Sequence, residues 1–138
     1  MRRESMNRTW RLAFAAFLAF GAVSLPAQGV KLTSSPIVFC GSASNCTKPA
    51  TIGYDDVRDA TPEWQTIESD GVREGSARYT LLTARMGQRI KAAADAVAGR
   101  EGHDLVVNEG DIDDAQGLEV ADITEQVIQA LSSVDTAP

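Results

Sequence analysis

The order of elements along residues 104–131 constrains the fold of this chain more than any other sequence feature. The apolar run LVV at residues 105–107 predicts a short buried strand, and the following Asn-Glu-Gly predicts a turn. An acidic stretch with a second candidate strand at Ile112 then leads into a final helix. Few soluble folds place these elements directly after a long amphipathic helix.

That long helix is predicted from Ala77 onward by apolar residues that recur every three or four positions. Ser76 offers an N-cap, and Gly99 or Gly102 offers a left-handed stop. The alanine-rich second half permits close packing of a neighbour. The predicted apolar face consists of Tyr79, Leu82, Met86, Ile90, Ala93 and Val97.

The folded unit is predicted to begin at Ala50, because residues 51–57 alternate apolar and polar side chains as a half-buried strand does. The Thr-Pro-Glu sequence at residues 61–63 predicts the start of a short helix, which Asp-Gly at residues 70–71 interrupts. The side chains predicted to face inward from these two elements are Ile52, Tyr54, Trp64 and Ile67.

The final helix begins at Asp122 or Thr124, and the sequence supports either start. Asp122 with Glu125 would form a capping box, whereas Thr124 as the cap would let Ile123 and Ile128 form a hydrophobic staple. The predicted buried face is Ile123, Val127, Ile128 and Leu131.

Residues 1–27 are predicted to be a cleaved signal peptide, which places the protein in the periplasm or outside the cell. Four arginines precede a twelve-residue apolar region at residues 12–23, too short for a stable membrane span. Cleavage after Ser24 or Ala27 fits equally well, and an uncleaved amphipathic anchor is the alternative.

Removal of residues 1–27 takes away four positive charges and one negative charge, so the formal net charge moves from −6 to −9. An acidic protein of this kind is not expected to bind nucleic acid or anionic lipid surfaces. Every Lys and Arg lies at or before Arg100, while ten acidic residues lie between Glu101 and Asp135. This distribution predicts a basic helix and an acidic hairpin with a helix.

Residues 28–49 are rich in Ser, Thr, Gly and Pro, and this composition predicts a flexible arm. Because an exported protein meets oxidising conditions, Cys40 and Cys46 are predicted to form a local disulfide. Two cysteines without a neighbouring histidine make a poor zinc site, since zinc takes three or four protein ligands.

The sequence offers little catalytic or metal-binding chemistry, and we predict a protein that is not an enzyme and uses no cofactor or metal. His103 is the only histidine, and we expect it in a solvent-facing turn. Asp111, Asp113 and Asp114 lack the glycine and glutamate of a calcium-binding EF-hand loop, although calcium binding there stays open.

Three segments together resemble the OmpH/Skp family of periplasmic chaperones. These are the predicted strand at residues 52–57 with the helix after it, the EGHDLVV turn and strand at residues 101–107, and the DIT sequence at residues 122–124 that opens a last helix containing Val127 and Ile128. The resemblance covers residues 50–131 and is strongest in the last thirty, so a domain is assigned to residues 50–132 with a disordered tail at 133–138. It implies a trimer whose strands join in a central β-body, with helical tentacles around unfolded outer-membrane proteins.

The chain departs from the family in two respects. About forty residues, 61–100, stand where family members have a long helical hairpin, which limits its reach to about 25–30 Å. The mature chain is also strongly acidic, whereas the best-known members are basic. A shortened hairpin favours a second function, an envelope structural or adaptor module that has lost chaperone activity.

The expected fold is therefore α/β (α+β), a small β-body with one main helical arm and a C-terminal helix. Ile52, Tyr54 and residues 105–107 would build the body. The expected partners are unfolded outer-membrane or envelope proteins and further copies of the chain. The residues predicted to bind clients or form an interface are Tyr54, Trp64, Tyr79, Leu82, Met86, Ile90, Arg78, Arg85 and Arg89.

Overall fold

Three strands, three helices, three further strands and a last helix follow one another along residues 29–134, the part of the chain that the computed structural model describes. The predicted signal peptide, residues 1–27, and the last four residues lie outside this range. The described part confirms the predicted α+β class. Its elements are β1 (Lys31–Leu32), β2 (Val38–Gly41), β3 (Pro49–Ile52), α1 (Tyr54–Asp59), α2 (Pro62–Ser69), α3 (Ala77–Glu101), β4 (Leu105–Asn108), β5 (Ile112–Asp114), β6 (Ala121–Asp122) and α4 (Thr124–Leu131).

A four-stranded mixed sheet in the order β2-β4-β3-β6 brings together segments that are far apart in sequence. β3 runs parallel to both β4 and β6, so that Ala50 lies opposite Val106 on one side and Ala121 on the other. β2 runs antiparallel to β4 at the edge. Because parallel strands need a long crossover, α1, α2 and α3 make the connection between β3 and β4.

Each face of the sheet carries its own hydrophobic cluster. In β4, Val106 points to the helical face, while Leu105 and Val107 point to the opposite face, as the alternation of a strand requires. All three side chains are fully buried, which confirms the predicted buried strand. The helical face is covered by α1, α3 and α4, and the opposite face by Val30, Leu32, Ala43, Cys46, Ile112 and Leu118.

The long helix α3 follows its predicted signals at both ends. The Ser76 hydroxyl accepts a hydrogen bond from the Tyr79 N–H at 3.1 Å. Gly102 adopts the left-handed conformation with φ of 78°, and the N–H of His103 bonds back to the Ala98 carbonyl at 2.9 Å. The predicted inward face is confirmed, with Met86, Ile90, Ala93 and Val97 buried and Tyr79 and Leu82 half-buried.

The prediction of a strand over residues 51–57 is wrong beyond Ile52. The N–H of Gly53 donates to the Thr124 hydroxyl at 2.9 Å, and the N–H of Tyr54 donates to the Asn108 side chain at 3.1 Å. These side chains take the place of a neighbouring strand and end the ladder. α1 then starts at Tyr54, and helical geometry turns Val57 into the core.

Residues 29–49 are part of the fold, so the predictions of a flexible arm and of a start at Ala50 are wrong. β2 is an edge strand of the main sheet, and a bulge places Phe39 and Cys40 together opposite Val106. β1 pairs with β5 in a separate ribbon, so β5 does not form the predicted acidic hairpin with β4. The turn at Glu109 and Gly110 is present, with Gly110 at φ of 86°.

Both predicted starts of α4 are wrong, because the N-cap residue is Ile123, whose side chain makes no capping hydrogen bond. The Asp122 carboxylate lies one residue before the cap, where it accepts from the N–H of Thr124 at 3.0 Å and from its hydroxyl at 2.6 Å. Val134 packs against the core, so the predicted disordered tail is wrong at residues 133–134, and its last four residues lie outside the described range.

Candidate functional site

A helical arm, defined as residues 62–85, is formed by α2, the following loop and the start of α3. α3 spans 25 residues, or about 37 Å, whereas α2 spans 8 residues, or about 12 Å. None of residues 77–85 is fully buried. Leu81 is 51% exposed, and the half-buried Tyr79 and Leu82 lie beside it in sequence. The arm therefore presents an apolar side chain to solvent from the first half of α3.

Met86 and Ile90 do not belong to this exposed surface. Their side chains are 4% and 1% exposed and lie in the hydrophobic core of the same chain. Their burial contradicts the prediction that they bind a client or form an interface, because such contact would require the core to open. The three- and four-residue periodicity of apolar residues identifies the inward face of α3 and does not include Leu81, the most exposed large hydrophobic residue in the described part of the chain.

Arg89 is also turned inward, so the predicted stripe of Arg78, Arg85 and Arg89 does not form one exposed surface. Its guanidinium bonds both carboxylate oxygens of Glu63 at 3.0 Å. It also donates to the Val134 carbonyl at 2.8 Å and to the Leu131 carbonyl. This group joins α2 and α3 to the end of α4. Arg78 and Arg85 remain exposed, and Arg78 pairs with Asp70.

The aromatic residues predicted as client contacts are only partly accessible. Trp64 is half-buried, and the Arg58 guanidinium lies over its ring at 4.4 Å. Its indole Nε1 is buried and has no hydrogen-bond partner among residues 29–134. Tyr54 is half-buried as the first residue of α1 and stacks on Phe39 at 6.2 Å between ring centroids. Both residues therefore contribute to packing.

An acidic groove lies at the carboxyl ends of the parallel strands β3, β4 and β6. It has a volume of about 530 Å³ and no basic residue in its lining. Hydrogen bonds from the hydroxyl and the N–H of Thr124 lower the pKa of Asp122, which keeps that carboxylate ionised. The lining residues are Asp56, Asp59, Glu109, Asp122, Thr124, Glu125 and Ile128. Within the described range, no three side chains of His, Cys, Asp or Glu are placed to hold a metal ion.

His103 does not lie in a solvent-facing turn as predicted. Its side chain is 4% exposed, and Nε2 lies 3.4 Å from the Glu101 carboxylate. The other ring nitrogen is buried and has no partner among the described residues. The left-handed turn at Gly102 carries the chain from α3 directly into β4, and this places the imidazole inside the fold.

The predicted Cys40–Cys46 disulfide is wrong, because both cysteines are free and occupy opposite faces of the sheet. Cys40 packs against the helical-face cluster, while Cys46 is buried in the other cluster. Burial, reinforced by Asp95, raises the pKa of the Cys40 thiol to about 11. Burial, reinforced by Asp104, raises the pKa of the Cys46 thiol to about 12. Neither group is a reactive thiolate near neutral pH.

Asp104 organises the loop of residues 42–48, which crosses the start of β4 as it leads from β2 to β3. Its carboxylate accepts from the Cys46 thiol at 2.9 Å, from the N–H and hydroxyl of Thr47 at 2.7 and 2.9 Å, and from the N–H of Lys48 at 2.9 Å. Burial acts to raise the pKa of Asp104. These hydrogen bonds outweigh it and hold the pKa well below its usual range.

Replacing Asp104 with asparagine is expected to lower the free energy of unfolding at pH 7 by about 1–2 kcal/mol, because the hydrogen bonds to the charged carboxylate are weakened. The expected loss is no larger because solvent screens the charge at this exposed position. Folding lowers the pKa of Asp104 in the wild type, so its carboxylate stabilises the fold fully at any pH above 3.8, the usual pKa of this group. This stabilisation is lost as the pH falls through the lower pKa of the folded state. Urea unfolding of the wild type and of Asp104→Asn between pH 2 and 7 measures how the difference in their free energy of unfolding depends on pH. An equal loss of stability at pH 2 and at pH 7 in the variant would contradict it.

No helix in residues 29–134 combines the length and apolar character needed to cross a membrane. No family model, curated protein or solved structure matches the chain.

Proposed function

We propose that the protein binds unfolded outer-membrane or envelope polypeptides without catalysis, as the OmpH/Skp family that its sequence resembles does. The observation that carries the proposal is the helical arm, where Leu81 is 51% exposed on a helix whose other half is fixed in the core. Covering such an apolar side chain with an unfolded polypeptide removes it from water, and this burial favours binding.

The helical arm of a single chain offers little apolar surface for binding a client. The proposal therefore includes self-association, which brings several arms together. Burying one leucine contributes about 1.5–3 kcal/mol, which is small against the cost of association. A homo-oligomer, a trimer by the resemblance, presents several arms to one client and raises the effective affinity without any new kind of contact. Light scattering on the purified protein measures the oligomeric state, and a monomer would remove this support.

The matched test compares Leu81→Asp with Thr80→Asp, which adds the same charge at the neighbouring exposed position of the same helix. Each protein, purified from the bacterial envelope, is mixed with a urea-denatured outer-membrane β-barrel protein that is then diluted into buffer. The wild type and Thr80→Asp are expected to suppress aggregation at stoichiometric amounts. Leu81→Asp is expected to bind the client about tenfold more weakly, because the apolar contact is lost.

The same assay can refute the proposal. If the wild-type protein suppresses no aggregation, it is not a polypeptide chaperone. If Leu81→Asp and Thr80→Asp suppress it equally well, the arm does not make the contact.

The second candidate is an envelope structural or adaptor module, and the burial of Met86 and Ile90 favours it. With these two side chains in the core, little of the α3 stripe is left to hold a client. Such a module would retain one folded envelope protein after crosslinking and affinity purification, and would leave the aggregation of an unfolded client unchanged.

A further inference from the structure

The thiols of Cys40 and Cys46 are close in sequence and are kept apart by the sheet. The bulge in β2 turns Cys40 toward the helical face, where it packs against the cluster to which α3 contributes. Cys46 lies on the other face with Leu105 and Val107 of the central strand β4. A disulfide requires Cα atoms about 4.4–6.8 Å apart and Cβ atoms directed toward each other. Side chains on opposite faces do not meet the second requirement.

The loop of residues 42–48, which carries Cys46, cannot move without breaking its hydrogen bonds to Asp104. Its residues Cys46, Thr47 and Lys48 supply four hydrogen bonds to the Asp104 carboxylate. At the start of the loop, Gly41 packs so closely that a Cβ atom there would lie 2.0 Å from the Asp104 carbonyl oxygen. Bringing Cys46 to Cys40 would release this loop and the end of β2 from the sheet.

We propose that Cys40 and Cys46 form a redox-sensitive device that is compatible with the native fold only as two thiols. A low-molecular-weight disulfide oxidises the pair when the loop of residues 42–48 is detached. One protein thiolate attacks the reagent disulfide and releases one reagent thiol, and the second protein thiolate displaces the other. The protein loses two electrons and both thiol protons, and the reagent is reduced to two thiols. The new Cys40–Cys46 bond then keeps Cys46 from returning to Asp104.

Cys46 is buried and Cys40 is half-buried. The raised pKa of both thiols agrees with slow oxidation of the native state, since the thiolate is the attacking species. The device does not depend on the proposed chaperone activity, because it concerns only the loop, β2 and Asp104. It predicts that the reduced protein keeps its thiols under oxidising conditions for as long as it stays folded.

The test uses reduced protein purified from the envelope and oxidised glutathione, with and without urea. Free-thiol titration and mass spectrometry are expected to show at least a tenfold slower formation of the intramolecular disulfide in the native state than in urea. After urea is removed, the oxidised protein is expected to melt at least about 10 °C below the reduced protein, because the loop contacts are lost. Reduction with dithiothreitol is expected to restore the original melting temperature.

Cys40→Ser and Cys46→Ser are the controls, because each retains one cysteine, and a serine at position 46 still offers a hydroxyl to Asp104. Both variants are expected to form no intramolecular disulfide and, in urea, to stop at the mixed disulfide with glutathione, which mass spectrometry distinguishes. Treating the folded variants with the oxidant is expected to leave their melting temperatures unchanged. The proposal is overturned if the native wild type oxidises as fast as the protein in urea. It is equally overturned if the oxidised wild type melts at or above the temperature of the reduced form.

Discussion

Replacing Glu63 with glutamine is expected to lower the free energy of unfolding by about 3–5 kcal/mol, the usual result when one partner of a buried ion pair is removed. The side chains of Arg89 and Glu63 are only 14% and 8% exposed. The variant would leave the guanidinium charge buried without its carboxylate. Equilibrium unfolding in urea, followed by circular dichroism, measures the change.

Glu68→Gln is the matched control, because Glu68 is exposed on the same helix α2. It is expected to change stability by no more than about 0.5 kcal/mol. The double variant Glu63→Leu with Arg89→Met removes both charges and is expected to recover part of the loss. Recovery stays incomplete because the carbonyls of Leu131 and Val134 lose their donor. Equal stability of Glu63→Gln and Glu68→Gln would show that the pair contributes little.

Replacing Gly41 with alanine is expected to destabilise the fold by about 2–5 kcal/mol, the sum of a backbone cost and a packing cost. Gly41 has φ of 81°, a conformation that costs residues with a side chain about 1–2 kcal/mol. The added Cβ would also lie 2.0 Å from the Asp104 carbonyl oxygen, a backbone atom that cannot rotate away. Thermal and urea unfolding would both show the change.

Gly75→Ala separates the two costs of the Gly41 substitution. Gly75 has the same φ of 81°, and no atom lies within 4 Å of a Cβ built there. This variant is therefore expected to lose only the backbone contribution, about 1–2 kcal/mol. If Gly41→Ala loses no more stability than Gly75→Ala, the end of β2 at Gly41 is not packed tightly against the start of β4.

Local sequence signals predict the parts of this fold that depend on neighbouring residues. Ser76, Gly102 and a stripe of apolar residues determine α3, because capping and helix periodicity act over a few positions. β4 is recognisable because its three apolar residues are bounded by turn-forming residues. In both cases the physical cause lies inside the segment itself.

The parts of the fold that the sequence does not predict depend on contacts between residues that are distant in sequence. β3 ends at Ile52 because Asn108 and Thr124, more than fifty positions away, take the next two backbone N–H groups. Residues 29–49 look like a flexible arm by composition, yet β4 holds β2 in the sheet. Short strands in a polar, glycine-rich context give no periodic signal before their partner is known.

In the candidate site, too, local patterns are predictable from the sequence, whereas contacts between distant residues are not. Periodicity places Tyr79 and Leu82 on one face of α3, but it does not show that Met86 and Ile90 are covered by the rest of the chain. Arg89 looks like one of three surface arginines until Glu63 is found opposite it, 26 positions earlier in the sequence. The spacing of Cys40 and Cys46 suggests a disulfide, and only the sheet between them shows that the two faces differ.

The position of β4 in the middle of the sheet has a consequence for the time course of folding. β2 and β3 both pair with β4 and do not pair with each other, so neither has a partner before residues 105–108 have been synthesised. Contacts of such long sequence separation are slow to form, because the intervening chain must lose its freedom first. α3 can form from its own residues alone, whereas β2 and β3 must wait for residues 105–108 before the sheet is complete.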